Sequence, residues 1–134
     1  MKVIIAGSRT SVLTYEQIQE IVDKSGFEVT EVVSGRCKGV DISGENWAVN
    51  SNIHVEPFPA EWDNLKQPGA VIKTRKDGSQ YNASAGKYRN RQMAKYADAL
   101  IAIWDGKSGG TGHMISAARE EFIPVFVHKI GAGS

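Results

Sequence analysis

The stretch ALIAIWDGKSGGTGHMISAA (residues 99–118) carries the signal that decides the expected fold. Its first six residues, 99–104, are the most apolar run of the chain and predict a buried parallel strand. A loop of glycine, serine and threonine follows, and the pattern beyond it predicts a helix over about 113–121. Three residues of this segment are expected to face the core: Ile115, Ala118 and Phe122.

Strand and helix patterns alternate along the rest of the chain. Apolar runs predict four further strands at 2–6, 27–35, 53–60 and 124–128. Further helices are predicted over 39–52, over about 84–96, and from Thr14, which forms a capping-box pattern with Gln17. This alternation predicts an α/β, Rossmann-like, doubly wound parallel sheet of about five strands in the order 3-2-1-4-5, with helices on both faces.

One domain is expected over residues 1–128, followed by a frayed tail at 129–134. An irregular insertion at 61–82 fits neither period and holds a turn at Asp77-Gly78, so it is either an ordered loop or a mobile flap. Trp62 and Tyr81 flank the insertion and are candidates for a lid that stacks on a base.

The composition excludes several classes of protein. The 134 residues are 41% hydrophobic and 23% charged, which is typical of a soluble domain. No apolar run approaches the ~18 residues that a membrane span needs, so no membrane partner is expected. The first residues of the chain contain too few apolar residues for a signal peptide, and a single cysteine allows no internal disulfide. A cytoplasmic location is therefore expected. The cysteine and the histidines lack metal-ligand spacing, so no metal site is predicted.

The fold predicts where a ligand binds. In doubly wound sheets, ligands bind outside the carboxyl ends of the strands, at the point where the winding reverses. Two loops leave that point here, GSRT (7–10) and DGKSGGTGH (105–113). The glycines of the second loop can adopt positive φ and converge their N–H groups on a phosphate at the start of the next helix. The alternative is a flexible turn with a helix cap.

Two familiar phosphate-binding motifs are absent from this loop. Lys107 and Ser108 match the end of a Walker loop, but its first glycine would fall on Ile101, inside the strand. Gly110 and Gly112 match the start of a dinucleotide fingerprint, but its third glycine would fall on Ile115. No resident cofactor is therefore expected.

Three segments together resemble the SLOG superfamily, a Rossmann-like group that includes DNA processing protein A and the LOG phosphoribohydrolases. They are AGSR (6–9), VSGRCKGVDISGENWA (33–48) and RNRQMAKYADALIAIWDGKSGGTGH (89–113). The resemblance covers about residues 3–127 outside the insertion and is greatest to small stand-alone proteins of bacteria and phages. It implies a nucleotide-derived or nucleic-acid ligand and self-association into a homo-oligomer.

The predicted ligand-binding residues lie in these segments and their loops. They are Gly7, Ser8, Arg9, Gly35, Arg36, Arg89, Asn90, Asp105, Ser108, Gly109, Gly110, Thr111, Gly112 and His113. Arg9 is either a phosphate ligand or a surface ion-pair partner, and Asn90 either pins a loop or contacts ribose or phosphate. Arg89 either contacts phosphate or faces solvent. Asp41 is expected to cap the helix that follows it.

The LOG hydrolases carry a P-G-G-x-G-T-x-x-E motif, from which this chain departs at three positions. Ser108 replaces the proline, His113 the threonine and Ser116 the catalytic glutamate. His113 and Glu45 are the remaining weak catalytic candidates. We therefore expect a sensor, carrier or sequestering protein, with a nucleotide-processing hydrolase as the alternative.

Single-stranded nucleic acid is the other alternative ligand. Residues 64–96 hold eight Lys or Arg and one Asp, so this segment carries +7 and the rest of the chain −6. Tyr81, Tyr88 and Tyr96 are interleaved with these charges, and cations alternating with aromatic rings can follow a single strand.

Overall fold

The computed structural model describes residues 1–130. The helices are α1 (Tyr15–Ser25), α2 (Val40–Asn50), α3 (Ala85–Tyr96) and α4 (Gly109–Glu120). The strands are β1 (Lys2–Gly7), β2 (Glu31–Ser34), β3 (His54–Pro57), β4 (Ile72–Thr74), β5 (Gln80–Asn82), β6 (Ala99–Trp104) and β7 (Val125–Lys129). The predicted capping box is present, because Thr14 and Gln17 each accept a hydrogen bond from the backbone N–H of the other.

Five parallel strands form the main sheet in the order β3-β2-β1-β6-β7. This order confirms the predicted doubly wound α/β fold, with the winding reversed between β1 and β6. The two central strands pair in register from Val3 opposite Ala99 to Gly7 opposite Ile103. Their carboxyl ends therefore lie at the same level, and the loops that follow them face each other.

Side chains of successive residues in the central strands pack into two separate cores, one on each face of the sheet, as expected for a sheet covered on both faces. Val3 and Ile5 pack with α1 and α2, whereas Ile4 and Ala6 pack with α3 and α4. Trp47 lies in the first core, where its indole N–H donates to Gln19 at 3.0 Å. It therefore packs in the core that α1 and α2 form on this face of the sheet.

Three expectations about α4 and the residues that flank it are wrong. The helix begins at Gly109, not near residue 113, and the glycines at its start do not adopt positive φ. Positive φ occurs at Gly106 instead, so the glycine-rich stretch is the first turn of a helix and not a separate nest. Phe122 is 93% exposed, because α4 ends at Glu120 and the chain then turns with φ 57° at Phe122 itself.

The insertion at 61–82 is an ordered structure that ends in an antiparallel β4–β5 hairpin. Gly78 has φ 89°, and Asp77 accepts the Ser79 N–H, so the predicted turn is present. Asn82 is fully buried and its amide donates to Gln67 at 2.8 Å. This buried amide pair ties the hairpin to the preceding residues of the insertion, which supports the ordered loop over the flap.

The predicted tail is corrected in its first two residues. Lys129 belongs to β7, and Ile130 donates its N–H to the Trp104 carbonyl at 2.9 Å. The remainder of the predicted tail, 131–134, lies outside the described residues. Among the described helices, none has the length and apolar character to cross a bilayer. Residues 1–130 contain no group of three or more His, Cys, Asp or Glu side chains that could hold a metal.

Candidate functional site

A cleft of about 420 Å³ opens at the carboxyl ends of β1 and β6, where the winding of the sheet reverses. Most of the predicted ligand-binding residues line it: Gly7, Ser8, Arg9, Arg89, Asn90, Asp105, Ser108, Gly109, Gly110 and Thr111. Six further lining residues were not predicted as ligands, namely Ala6, Thr10, Cys37, Asp41, Met93 and Met114. The loops 7–10 and 105–113, which follow β1 and β6, thus line the same cavity.

The first turn of α4 forms one wall of this cleft. The N–H groups of Gly109, Gly110 and Thr111 have no hydrogen-bond partner within residues 1–130, and Ser108 makes no side-chain cap. Asp105 fixes the approach to the helix, because its Oδ1 accepts the N–H groups of Ser108 and Lys107, both at 2.8 Å. These backbone hydrogen bonds, with that of Ser108 the largest effect, lower the pKa of Asp105.

Arg9 lies at the rim of the cleft and is exposed. None of the ion pairs found in residues 1–130 includes it, so the surface ion pair considered for Arg9 does not form in this structure. Its neighbour Ser8 is buried, and the Ser8 hydroxyl accepts the Thr10 N–H at 3.2 Å. The backbone of the loop after β1 is thus locally ordered, while the Arg9 guanidinium is available to bind an anion.

Arg89 is buried, with only 6% of its surface exposed, so the prediction that it could face solvent is wrong. Its guanidinium donates to the Gly35 carbonyl, to Asn90 Oδ1 at 3.0 Å and, more distantly, to the Phe58 carbonyl at 3.4 Å. No carboxylate among the described residues lies within 4.0 Å of it. A buried cation held by neutral acceptors lowers the energy of any anion that enters the cleft.

A hydrogen bond between Asn90 and His113 connects α3 to α4. The Asn90 amide donates to His113 Nδ1 at 3.1 Å and to the Gly110 carbonyl at 3.4 Å. Because Nδ1 accepts, the ring proton of the neutral histidine lies on Nε2. Burial, followed by the nearby Arg91 and Lys87 charges, lowers the pKa of His113, which does not itself line the cleft. The geometry therefore favours the loop-pinning role for Asn90.

A second cavity of about 370 Å³ adjoins the first, and Arg9, Cys37 and Arg89 line both. Its other lining residues include the predicted Gly35 and Arg36. Its remaining wall is formed by Lys38, Pro59, Ala60 and Trp62.

Glu45, one of the weak catalytic candidates, lines neither cavity. Its carboxylate is buried, accepts the Ser34 hydroxyl at 2.6 Å and pairs with Arg36. The predicted Gly112 also turns away, because a β-carbon there would meet the Trp104 ring at 3.4 Å. Glu45 therefore holds the turn after β2 in place and does not reach the cleft.

Asp41 lines the cleft and is 5% exposed. The prediction that it caps α2 is wrong: Gly39 is the N-cap residue, and the Asp41 carboxylate accepts the Cys37 N–H at 3.3 Å in the preceding turn. Burial raises its pKa to about 6, although the Cys37 N–H and the Arg89 charge act in the opposite direction. An acidic residue after a glycine-rich turn has the pattern of a cap in sequence, and only the packed structure reveals that it is buried.

No protein-family model matches the sequence. No curated protein matches it either. Among solved structures, the chain is similar to DNA processing protein A from Streptococcus pneumoniae, with a TM-score of 0.64 and 19% identity. The match covers 94% of this chain and 49% of the other, so the chain spans about half the length of that protein. The two proteins share a fold, and it is the fold that the SLOG resemblance implies.

Proposed function

We propose that this protein binds a nucleotide-derived small molecule whose phosphate rests on the first turn of α4. The observation that carries the proposal is that helix N–H groups without a hydrogen-bond partner lie in the same cleft as two guanidinium groups, neither of which has a carboxylate of the described residues within 4.0 Å. Gly109, Gly110 and Thr111 supply the N–H groups, and Arg9 and Arg89 supply the charge. A helix N-terminus with adjacent guanidinium forks is a favourable environment for a phosphate.

The cleft is suited to more than a bare phosphate, because two carboxylates also line it. Asp41 and Asp105 accept hydrogen bonds from the backbone, and carboxylate oxygens have further lone pairs that suit the hydroxyl groups of a sugar. Its volume of about 420 Å³ falls within the common range for small-molecule sites. Phosphate donors beside sugar acceptors favour a phosphorylated nucleoside or a derivative of one.

The site supports binding without turnover. The position of the hydrolase glutamate is occupied by Ser116, and Glu45 is held by Ser34 and Arg36 outside the cleft. His113 braces Asn90 and does not line the cleft. We therefore place the protein among sensors, carriers or sequestering proteins, with self-association as an accompanying proposal.

A thermal-shift panel tests this function directly. Nucleoside mono- and diphosphates, ADP-ribose and cyclic dinucleotides are added at millimolar concentration. A ligand at 100 times its dissociation constant should stabilise the protein by about 2.7 kcal/mol. If every compound leaves the melting temperature unchanged, the proposal is wrong. Chromatography of the stabilising compound after overnight incubation should return it intact; released base or phosphate would favour the hydrolase.

Replacing Gly110 with alanine separates ligand binding from folding. A β-carbon at Gly110 meets no atom within 4 Å and the residue does not have positive φ, so the fold does not require glycine there. We expect the melting temperature to stay level or rise slightly, while the affinity for the stabilising nucleotide falls at least about tenfold, because a methyl group stands where the phosphate approaches the N–H groups. Calorimetric titration measures the affinity.

Ser116→Ala is the matched control for this variant, since Ser116 is an exposed residue of the same helix outside the cleft. It should bind like the wild type. If Gly110→Ala binds the nucleotide with unchanged affinity, the phosphate does not bind at the first turn of α4.

Single-stranded nucleic acid is a second candidate ligand, favoured by the charge of the β4–β5 hairpin. Lys73, Arg75 and Lys76 are exposed there, and Arg75 lies 4.8 Å from the centre of the Tyr81 ring. The structurally similar protein is named DNA processing protein A, and this name also favours nucleic acid as the ligand. Tyr96 is not part of this surface, because it contacts Lys2 and Glu31 at the amino ends of β1 and β2, whereas the cleft opens at the carboxyl ends. Nucleic-acid binding would weaken steeply with salt, in proportion to the phosphates contacted.

A further inference from the structure

The second cavity shares Arg9 and Arg89 with the phosphate-binding cleft, but most of its lining residues lie outside that cleft. An indole and several cations line it together: Trp62, Arg9, Arg36, Lys38 and Arg89. Arg36 pairs with Glu45 but leaves 52% of its side chain exposed. Arg9 and Lys38 are exposed, and neither is in an ion pair with any other described residue. The cavity therefore combines a flat aromatic surface with an uncompensated positive rim.

Trp62 is held in position from two sides. Its carbonyl accepts the Asn82 N–H at 2.6 Å, and Asn82, the last residue of β5, is fully buried. Its ring lies against the start of α3, where a β-carbon at Gly86 would be only 3.3 Å from the Trp62 ring. Nevertheless, 38% of Trp62 remains exposed. An aromatic side chain that is fixed by its surroundings and left partly open in a cavity is a ready stacking surface.

The two cavities adjoin each other, because Arg9, Cys37 and Arg89 line both. One molecule can therefore extend from the first turn of α4 to the indole of Trp62 along these shared side chains. Its phosphate end would meet the helix, and its other end would need a planar, π-rich group to use the indole.

We propose that the second cavity is the base-binding subsite of the same ligand, with the nucleobase stacked on Trp62. This inference rests on the proposed function and narrows it: the ligand is a nucleotide with an intact aromatic base, not a phosphorylated sugar or inorganic phosphate. The insertion then forms a fixed wall of the site, and Arg36 and Lys38 hold the polar edge of the base or a second anionic group.

The test compares ribose 5-phosphate with the four ribonucleoside 5′-monophosphates and ADP by calorimetric titration. The proteins are the wild type, Trp62→Leu, Trp62→Phe and the control Leu65→Ala, which alters an equally exposed residue of the insertion outside both cavities. In the wild type we expect at least one nucleotide to bind about 10- to 100-fold more tightly than ribose 5-phosphate. Trp62→Leu should abolish this preference, while Trp62→Phe and Leu65→Ala keep most of it.

Two failures can be told apart. If ribose 5-phosphate binds as tightly as every nucleotide, or if Trp62→Leu keeps the preference, the base subsite is wrong and phosphate binding stands. If neither ribose 5-phosphate nor any nucleotide binds, and no compound of the thermal-shift panel stabilises the protein, the proposed function itself is wrong, and the subsite with it. If Trp62→Leu does not fold, fluorescence provides a second test. The nucleotide should quench the tryptophan fluorescence of the wild type, and this quenching should be lost in Trp62→Phe. If the wild type shows no quenching, the nucleobase does not stack on Trp62.

Discussion

Replacing Asp41 with asparagine is expected to raise the free energy of unfolding at pH 7 by on the order of 3 kcal/mol. Burial raises the pKa of this carboxyl from 3.8 to about 6, so the folded state binds its proton more tightly than the unfolded state. The wild type therefore loses stability from this group as pH rises from about 4 to about 6, and the loss is complete above that. Asparagine cannot ionise and keeps an oxygen to accept the Cys37 N–H.

Urea denaturation of both proteins at pH 3, 5 and 7 measures this difference. The gain should be absent at pH 3, where Asp41 is protonated in both states, and largest at pH 7. Asp63→Asn is the control, because its side chain is 92% exposed and its replacement should change little at any pH. Equal stabilities of wild type and Asp41→Asn at pH 7 would show that the carboxylate is solvated or paired in solution.

The cost of an ionised Asp41 connects this residue to function. Fold stability alone would favour a neutral side chain in a buried position, whereas a functional site commonly retains groups with perturbed pKa values. Asp41 lines the cleft beside Arg89, the buried cation that lowers its pKa most after the Cys37 N–H. The pair therefore offers a ligand one acceptor and one donor group within the same wall.

The fold was predictable because its signals are local and repeated. Apolar runs such as 99–104 and the capping box at Thr14 depend on neighbours in the chain, and the alternation of strands and helices fixes the topology. The β4–β5 hairpin gave no such signal, since its three-residue strands IKT and QYN contain one strongly apolar residue between them, Ile72. Its order depends on the buried amide pair of Gln67 and Asn82, fifteen residues apart, which no periodic pattern reveals.

The position of the candidate site was predictable from the topology, but its details depended on packing. The glycines after Ser108 suggested a loop because glycine disfavours helices, yet the first turn of α4 accommodates them. The burial of Arg89 and Asp41 depends on the turn after β2, where a β-carbon at Gly35 would meet both side chains within 3.0 Å. Contacts between residues this distant in sequence could not be read from composition or spacing.

Replacing Gly7 with alanine is expected to have the largest effect on stability. Its β-carbon would lie 2.2 Å from the Ile103 carbonyl oxygen and 2.9 Å from the Val40 side chain, so it would collide with β6 and with the start of α2. Both neighbours are held by backbone hydrogen bonds: Ile103 pairs with Gly7 in the sheet and accepts the Ser8 N–H, and Val40 donates its N–H to the Ser8 carbonyl at 3.0 Å. We expect the free energy of unfolding to fall by at least about 3 kcal/mol, the upper range for overpacking.

Gly109→Ala is the matched control, since its β-carbon meets no atom within 4 Å and the variant should keep wild-type stability. Denaturant titration of the two variants gives the comparison. The collision at Gly7 also pushes apart β1 and β6 at their carboxyl ends, where the cleft opens. Any folded fraction of Gly7→Ala should therefore bind the stabilising nucleotide poorly, measured by titration at low temperature. Stability within about 1 kcal/mol of wild type, together with normal binding, would mean that the two strands are not in close contact at this point and that the cleft does not depend on Gly7.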